Sequence, residues 1–430
     1  MTQEPNIRLS GAILSLILLL SWQPAQAQFT LSGELRPRLE YREGYRRMPA
    51  ENEKPAAFVY QRSRLNLEYS QDRITTHLSV QNVRAWGQDP QKVHLPSIDI
   101  HQAWFELQVN EKLFAKAGRQ ELKYDNQRFL SVNNWAQPAQ KHDMLLLKYH
   151  HQSTRLHLGS AFNQSGDLIN QNMSNFGTQY PVNNYKYMNF LWFHTPVQQK
   201  GKISLLAIAE GKENQNSGNL FIRGTWSVYS TWEFSRFNFM VNPGFQHGKT
   251  INGQDIEAYY FRSDISLQPL SAWKTTLGLE YFSGNDFSDP GDPKYRAFDS
   301  THGSGHAHNG SLDYFTNFPS HTRGAGLVNP YFMNRFAINN ETNFNIDFHV
   351  FALANKYMHN QQIIDKYLGT EVDLTLNYAF NGFTRIQMGY SMMFGTESMG
   401  IIRGGSPDRW AHWAFVMVTV QPVFFRSTSG

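Results

Sequence analysis

The chain has 430 residues, no cysteine, 14% aromatic and 17% charged residues, and a formal net charge of +4. No disulfide framework can form, and so mild a basic excess is not the signature of a nucleic-acid-binding protein. Mean hydropathy is −0.50 and no apolar run after the N-terminal region approaches the roughly 18 residues of a spanning helix, which excludes a helical membrane protein.

Residues 1–27 have the pattern of a secretory signal peptide. Arg8 precedes the apolar run 11–20, and Ala25-Gln26-Ala27 provides a small-residue cleavage site. The apolar run is too short and wrongly flanked for a stable membrane helix. We therefore expect the mature chain to begin at about Gln28, outside the cytoplasm.

The first mature segment, residues 29–42, alternates apolar and polar side chains. Leu31, Leu35 and Leu39 fall on one face, and the other face carries Ser32, Glu34, Arg36, Arg38, Glu40 and Arg42. Successive side chains of a strand point to opposite faces, so the pattern predicts a β-strand with one charged face.

The same pattern recurs along the chain and predicts about 18 strands, with an uncertainty of about two. The predicted strands are residues 29–42, 58–70, 73–86, 98–109, 112–123, 142–150, 153–162, 186–195, 201–210, 220–229, 233–245, 255–267, 272–283, 327–337, 341–354, 366–380, 383–395 and 411–425.

The clearest pair of strands is the hairpin within residues 367–394. Asn381-Gly382 suits a two-residue turn, in which both positions need positive φ. Both strands are long for a soluble sheet, at about 12 to 14 residues, but have the length of a tilted membrane crossing. Glu371, Asp373 and Arg385 fall on the polar faces of the pair.

The connections alternate between short and long. Short ones include 110–111, 151–152 and 381–382, and long ones include 43–57, 87–97, 124–141, 163–185, 284–326 and 396–410. Short turns at one end and long loops at the other are typical of a bacterial outer-membrane barrel, whereas a soluble β-sandwich has no reason to sort loop lengths. The sequence predicts an all-β fold: one transmembrane antiparallel barrel of 16–18 strands over residues 28–430, surrounded by outer-membrane lipid, with short periplasmic turns.

In a barrel, the charged strand faces line a watery lumen. Arginine there can bind carboxylate or phosphate in bidentate fashion and favour anions. The alternative is that the charges pair with one another and hold the barrel's shape. The candidate selectivity residues from strand pattern are Arg36, Arg38, Arg62, Arg64, Arg119, Arg262, Lys274, Glu371, Asp373 and Arg385.

Several motifs resemble the alginate-export family of outer-membrane porins. Residues 118–129, GRQELKYDNQRF, are followed by Trp135 and His142-Asp143 and are similar to the family's G-R-Q…Y-D…R-F…W…D pattern. Residues 278–285, GLEYFSGN, and 368–373, LGTEVD, add further matches in the same order along the chain.

The resemblance implies an 18-stranded outer-membrane barrel whose best-known members carry anionic alginate through an arginine-lined pore. It also covers porin-like proteins with other solutes. The residues that fall on family motif positions are Arg119, Asp125, Arg128, Asp143, Glu371 and Asp373.

The 284–326 loop is a candidate plug or lid of the lumen, because loops of this length are usually functional. It contains His302, His306 and His308, whose His-x-His spacing makes them weak candidates for a metal site. The alternative is a polar loop with chance histidines, and the sequence implies no cofactor.

Three classes of function remain open at this point. The favoured one is a porin for hydrophilic, anionic sugars or a polysaccharide such as alginate. The second is a structural or adhesive barrel with a closed lumen. The third, an outer-membrane hydrolase, has little support because the sequence has no Gly-x-Ser-x-Gly, HExxH or phosphate-loop motif. The sequence is also compatible with a periplasmic partner.

Overall fold

The computed structural model describes residues 27–92, 97–164, 184–214, 216–300 and 302–427. The signal peptide predicted for residues 1–27 lies almost wholly outside the described residues, as does most of the 163–185 loop.

The alternating segments form strands of 8 to 16 residues around the molecule. Their bounds are β1 Gln28–Glu43, β2 Ala56–Gln71, β3 Ile74–Ala85, β4 Asp99–Gln108, β5 Leu113–Gln120, β6 His142–His151, β7 Thr154–Phe162, β8 Tyr187–Val197, β9 Gly201–Glu213, β10 Leu220–Glu233, β11 Phe237–Lys249, β12 Asp255–Leu270, β13 Trp273–Phe282, β14 Leu327–Ala337, β15 Thr342–Leu353, β18 Tyr367–Asn381, β19 Thr384–Gly395 and β20 Ala411–Val420. Shorter elements are the hairpin of β16 Met358–His359 and β17 Gln362–Ile363, the helix α1 Glu397–Arg403, the 3-10 turn Ser320–Thr322, and β21 Val423–Arg426.

The long strands form one closed, 18-stranded antiparallel barrel. Each strand pairs with its neighbours in sequence, and β1 pairs with β20 as well as with β2, which closes the sheet. β21 continues the line of β20 and pairs with the first residues of β1. Closure leaves none of the described long strands with an unpaired edge, which is the condition for a sheet to span hydrocarbon. The predicted fold class is confirmed.

Among the residues that the structure describes, no helix has both the length and the apolarity needed to cross a bilayer. The short turns lie at one end of the barrel, as at 72–73 and 382–383, and the long connections lie at the other. Following the outer-membrane topology, we call these the periplasmic and extracellular ends.

The two faces of each strand differ as the alternation predicts. In the β18–β19 hairpin, Asp373 pairs with Ser391 and both side chains are buried inside the barrel. Met388, on the opposite face, is exposed on the outer wall. Apolar outer side chains are stable here because the surrounding solvent is lipid.

Two long connections fold into the barrel and fill its extracellular half. They are the 121–141 segment, which follows β5, and the 283–326 segment, which follows β13 and whose residue 301 is not described. Leu130, Phe298 and Leu312 of these segments are fully buried, against inward-facing apolar wall residues that include Phe190 and Phe351. The expectation of a charged, watery lumen therefore fails for the extracellular half, which contains a hydrophobic core.

Candidate solute path through the barrel

Arg36 and Arg62 anchor the 121–141 segment to the barrel wall. Arg36 donates from Nε to Gln137 Oε1 at 3.0 Å, and Arg62 donates from Nη1 to the Gln137 carbonyl at 3.2 Å. Gln137 in turn donates to the Tyr60 carbonyl at 2.9 Å. Arg62 also donates to Glu34 at 2.6 Å. Both guanidinium groups are buried, so they act first as structural anchors.

Arg38 holds the next part of the same segment. It donates to the Trp135 carbonyl at 3.1 Å, and its guanidinium carbon lies 4.3 Å from the centre of the Trp135 ring. Glu40 accepts a second bond from Arg38 at 2.8 Å. A cation over an indole face and a carboxylate pair together fix the direction of this side chain.

Arg64 lies beside the start of the 121–141 segment. It donates to Gln81 at 2.9 Å and lies 3.7 Å from a Glu121 oxygen. His101 contacts the same carboxylate at 2.7 Å. Arg64 thus belongs to a mixed group of charges that ties β2, β4 and the inward segment together.

Arg128 joins the two inward segments to the wall at one point. Its Nη2 donates to Glu280 Oε2 at 2.9 Å and its Nη1 donates to the Ser304 carbonyl at 2.8 Å. The guanidinium carbon lies 4.7 Å from the centre of the Phe282 ring. Arg128 and Glu280 are both almost completely buried. A buried charge of this kind is stable only while its partner is present.

Arg262 has a similar position on β12. It donates to Asp264 at 3.3 and 3.2 Å, lies 4.0 Å from Glu280, and contacts His308 of the 283–326 segment. Its guanidinium carbon lies 5.0 Å from the centre of the Tyr331 ring. Arg262 is therefore also enclosed between wall and segment.

Glu371 and Asp373 bind the backbone of the 283–326 segment. The Leu312 amide donates to Glu371 Oε1 at 2.7 Å, and the Ser311 amide donates to Asp373 Oδ2 at 3.2 Å. Gly310 lies against the Glu371 carboxyl with φ of +76°, so a Cβ at this position would collide with it. These two residues of β18 thus hold the segment directly across the lumen.

Asp125 is at the start of the 121–141 segment and accepts the indole N–H of Trp192 at 3.1 Å. Burial raises the pKa of the Asp125 carboxyl, and hydrogen bonds from Ser204 and Trp192 oppose that effect only in part. Asp125 thus connects the segment to the wall at β8.

The three histidines of the 283–326 segment have separate partners. His302 contacts Glu210 at 3.2 Å, His306 contacts Asp313 at 2.7 Å, and His308 contacts Arg262. His306 also stacks on Trp135 with ring centres 4.0 Å apart, which joins the two inward segments. Within the described residues, no three metal-ligating side chains converge on one point. The structure therefore does not bring these histidines together as a metal site.

Arg119 and Asp143 require a correction. They are cross-strand partners, and Arg119 donates to both Asp143 oxygens at 2.9 and 3.0 Å. Asp143 alternates with buried Met144, and it shares the outer face with exposed Leu145. The pair lies on the outer wall near the extracellular ends of β5 and β6, not in the lumen. The expectation that Arg119 lines the lumen was wrong because Lys116, three positions earlier in β5, is on the inward face, so strand alternation places Arg119 on the outer face.

Lys274 and Arg385 do face the lumen, but at its periplasmic end. Lys274 is the second residue of β13 and pairs with Arg335 of β14, and Arg385 is the second residue of β19. All three side chains are exposed. Arg385 aligns with Ala379, six positions along β18 from Asp373, so the expected group of Arg385 with the two carboxylates is not formed.

The sequence reading missed several other inward-facing cations of the periplasmic half. Lys202 and Arg335 are exposed to the lumen, and Lys116, Lys148 and Arg155 are partly covered. Lys148 pairs with Glu106, and Lys116 lies 3.6 Å from the centre of the Trp104 ring. Strand alternation predicts each position once the lumen side of the strand is known. The periplasmic half of the wall therefore carries several inward-facing cations that are open to water, whereas the buried arginines of the extracellular half hold the inward segments.

Comparison with known proteins agrees with this architecture. The profile of the family described as "Alginate export" matches residues 27–399. The chain belongs to the alginate export family. No curated protein matches this sequence significantly.

Solved structures that resemble this alginate export family member are outer-membrane proteins. OpdK of Pseudomonas aeruginosa, crystallised with vanillate, has a TM-score of 0.59 at 10% identity, covering 93% of this chain and 99% of that one. OccAB4 of Acinetobacter baumannii has a TM-score of 0.61 at 14% identity, covering 94% and 99%. OccK3 (OpdO) of Pseudomonas aeruginosa has a TM-score of 0.62 at 11% identity, covering 92% and 96%. At these identities the likeness shows the fold.

Family and fold together place this alginate export family member in the bacterial outer membrane as a channel protein.

Proposed function

We propose that this channel lets hydrophilic anions diffuse passively across the outer membrane, with acidic sugars or an acidic polysaccharide such as alginate as its solutes. The observation that carries the proposal is the set of exposed, inward-facing cations in the periplasmic half, Lys202, Lys274, Arg335 and Arg385. Within the described part of the chain, none of them has a carboxylate close enough for an ion pair. Unpaired cations in a narrow lumen raise the local concentration of anions.

Weak binding along the path also fits passage. Lys148 is paired with Glu106, and Lys116 rests on an indole ring, so the positive surface there is partly balanced. Conduction needs sites that attract a solute but release it again. Cations without an ion-pair partner alternate with cations that have a carboxylate or indole partner, and this supports diffusion of the solute rather than its tight binding.

The extracellular half imposes a condition on this function. The 121–141 and 283–326 segments fill that half of the lumen, so a large solute passes only if they move apart. The same packing supports the competing proposal, a structural barrel with a closed lumen. In the channel proposal the solute crosses chemically unchanged, whereas a closed structural barrel passes no solute.

The test of selectivity is the reversal potential across a planar bilayer in a salt gradient. We expect anion preference in the native channel, reduced by Lys274→Glu, Arg335→Glu and Arg385→Glu. Arg119→Glu is the matched control, because it makes the same charge change on the outer wall. Cation preference in the native channel, or equal effects of the lumen and outer-wall variants, would contradict the proposal.

The test of passage replaces residues 284–325 by a short Gly-Ser linker. Gly326 lies directly against Ser283, so the linker joins two points that are already adjacent. We expect a larger conductance, and block by acidic oligosaccharides such as alginate oligomers. A barrel that stays non-conducting with the linker would favour the closed structural barrel.

A further inference from the structure

A row of small side chains crosses the outer wall between β7 and β10. Ser160 pairs with Asn189, Asn189 with Ala209, and Ala209 with Gly224, so the four positions are cross-strand neighbours. Gly224 is covered by the imidazole of His247, its partner on β11. Because these side chains project only a short distance, the outer surface of the barrel is depressed along this row.

Bulky side chains stand beside the row. On the periplasmic side, Leu158 pairs with Leu191, and Trp226 stands two positions along β10 from Gly224. On the extracellular side, Phe162 and Ile222 are exposed at the ends of their strands. Small residues between bulky ones produce a groove of about 660 Å³, whose lining is mostly apolar.

The groove contains a side-chain amide that faces lipid, that of Asn189. Ser160 Oγ donates to Asn189 Oδ1 at 2.8 Å, which leaves the amide N–H groups of Asn189 without an acceptor among the described residues. Asn189 is exposed and lies two residues from Tyr187, the extracellular start of β8. An amide at that level is surrounded by the outer leaflet, where little water is present to bind it. It therefore needs an acceptor from whatever fills the groove.

We propose that the groove binds an acyl chain of an outer-leaflet lipid, whose ester carbonyl or acyl hydroxyl accepts a hydrogen bond from Asn189. The apolar lining matches a hydrocarbon chain, and the amide matches the polar group at the head of such a chain. The indole N–H of Trp226 is already donated to His247 Nε2 at 2.8 Å, so its apolar face is left as a side wall. A second copy of this barrel is the alternative occupant, and the crosslinking experiment below distinguishes it from lipid.

The test is photolabelling of the full-length protein in vesicles of phosphatidylethanolamine and phosphatidylglycerol that contain a phospholipid with a diazirine on its acyl chain. Labelled peptides are located by mass spectrometry. We expect several-fold more label on β8 to β10 than on the outer wall at β14 and β15. Ala209→Phe, which fills the groove, should remove the excess.

Two further variants make the result specific. Ala352→Phe is the matched control, since Ala352 lies on the outer wall across the barrel, beside Val328, and its substitution should leave the label unchanged. Asn189→Leu keeps the apolar groove but removes the amide, and should reduce the excess. Gel migration before and after heating confirms that each variant is folded.

Even labelling around the barrel would show ordinary contact with bulk lipid and would overturn the proposal. So would an excess that survives Ala209→Phe. A benzophenone side chain at position 209 that crosslinks to protein rather than to lipid would assign the groove to the chain itself or to a second copy.

Discussion

Arg128 of the 121–141 segment and Glu280 of β13 form a buried ion pair, with Nη2 and Oε2 2.9 Å apart, at the point where both inward segments meet the wall. Removing one member of a buried pair leaves an uncompensated charge and costs about 3–5 kcal/mol. We expect Arg128→Met to loosen both segments. Limited proteolysis of the detergent-solubilised protein should then show increased cleavage within residues 121–141 and 283–326.

The double variant Arg128→Met/Glu280→Gln removes both charges and should restore much of the protection. Arg119→Ala is the control for a surface pair, since an exposed ion pair contributes about 0–1 kcal/mol. Equal proteolysis of the Arg128 and Arg119 variants would show that the buried pair does not hold the segments.

Gly303 tests the contact between the two inward segments. A Cβ at this position would collide with the backbone carbonyl of Arg128, and the neighbouring residues bond across the same contact, as in Ser131 N to His302 O at 3.0 Å. We expect Gly303→Ala to separate the segments and raise the conductance. Gly291→Ala, in the same segment, has only a side-chain oxygen 3.6 Å away and should leave conductance unchanged. A silent Gly303→Ala would mean that the segments do not limit conduction.

Glu371 tests the attachment of the 283–326 segment to β18. Glu371→Ala removes the acceptor of the Leu312 amide, so we expect more frequent opening events in single-channel recordings. Losing the partner of a buried donor costs about 1–3 kcal/mol, equivalent to roughly a 5- to 150-fold change in an opening equilibrium. Asn377→Ala is the control, because Asn377 is on the same strand and its side chain bonds to Asn343 of the wall rather than to the inward segment. Indistinguishable recordings from the two variants would exclude this attachment as a gate.

Protonation of Asp313 should determine how the 283–326 segment responds to acid. Burial raises the pKa of the Asp313 carboxyl. The interactions with His306 and with the hydroxyl of Tyr45 lower it by more, so the resulting pKa is below the ordinary value of 3.8. A carboxyl with a lowered pKa stabilises the folded state above its ordinary pKa, and that stability is lost as the pH falls through the lowered value. We expect the segment to stay in place at neutral pH and to loosen only below about pH 4.

Conductance recorded from neutral to acidic pH measures this. Asp313→Asn should already be loose at neutral pH and should lack the acid-dependent step. A native channel that opens between pH 5 and 7 would point to a different group.

The sequence predicted the barrel because the barrel depends on local patterns. The turn of the β18–β19 hairpin was predicted to within one position: it lies at Gly382-Phe383 rather than Asn381-Gly382, and neither expected position has positive φ. This turn and the alternation along β1 each depend on about 15 residues of sequence, and the alternating loop lengths are visible along the whole chain. Closure then follows from the lipid surroundings, which allow no free strand edge.

The candidate site was less predictable because it depends on long-range contacts. Nothing near Arg36 indicates that Gln137, 101 positions away, will take up its hydrogen bonds. Arg36 and Arg62 look like free lumen cations in the sequence, and their burial is visible only once the 121–141 segment is inside the barrel. Arg119 shows a second limit, because a charged side chain in a strand does not by itself indicate which face of that strand lines the lumen.

Closure through β1 and β20 has a consequence for how the protein assembles. Tyr41 aligns with Ala414, so the pairing that completes the cylinder joins positions 373 residues apart in the chain. Contacts this distant form slowly, because the intervening chain must be ordered first. Until they form, β1 and β20 are two exposed edges, and exposed edges aggregate. Insertion into the bilayer is therefore expected to finish in one late, cooperative step, and a chain lacking β20 should accumulate as misassembled protein rather than as a smaller barrel.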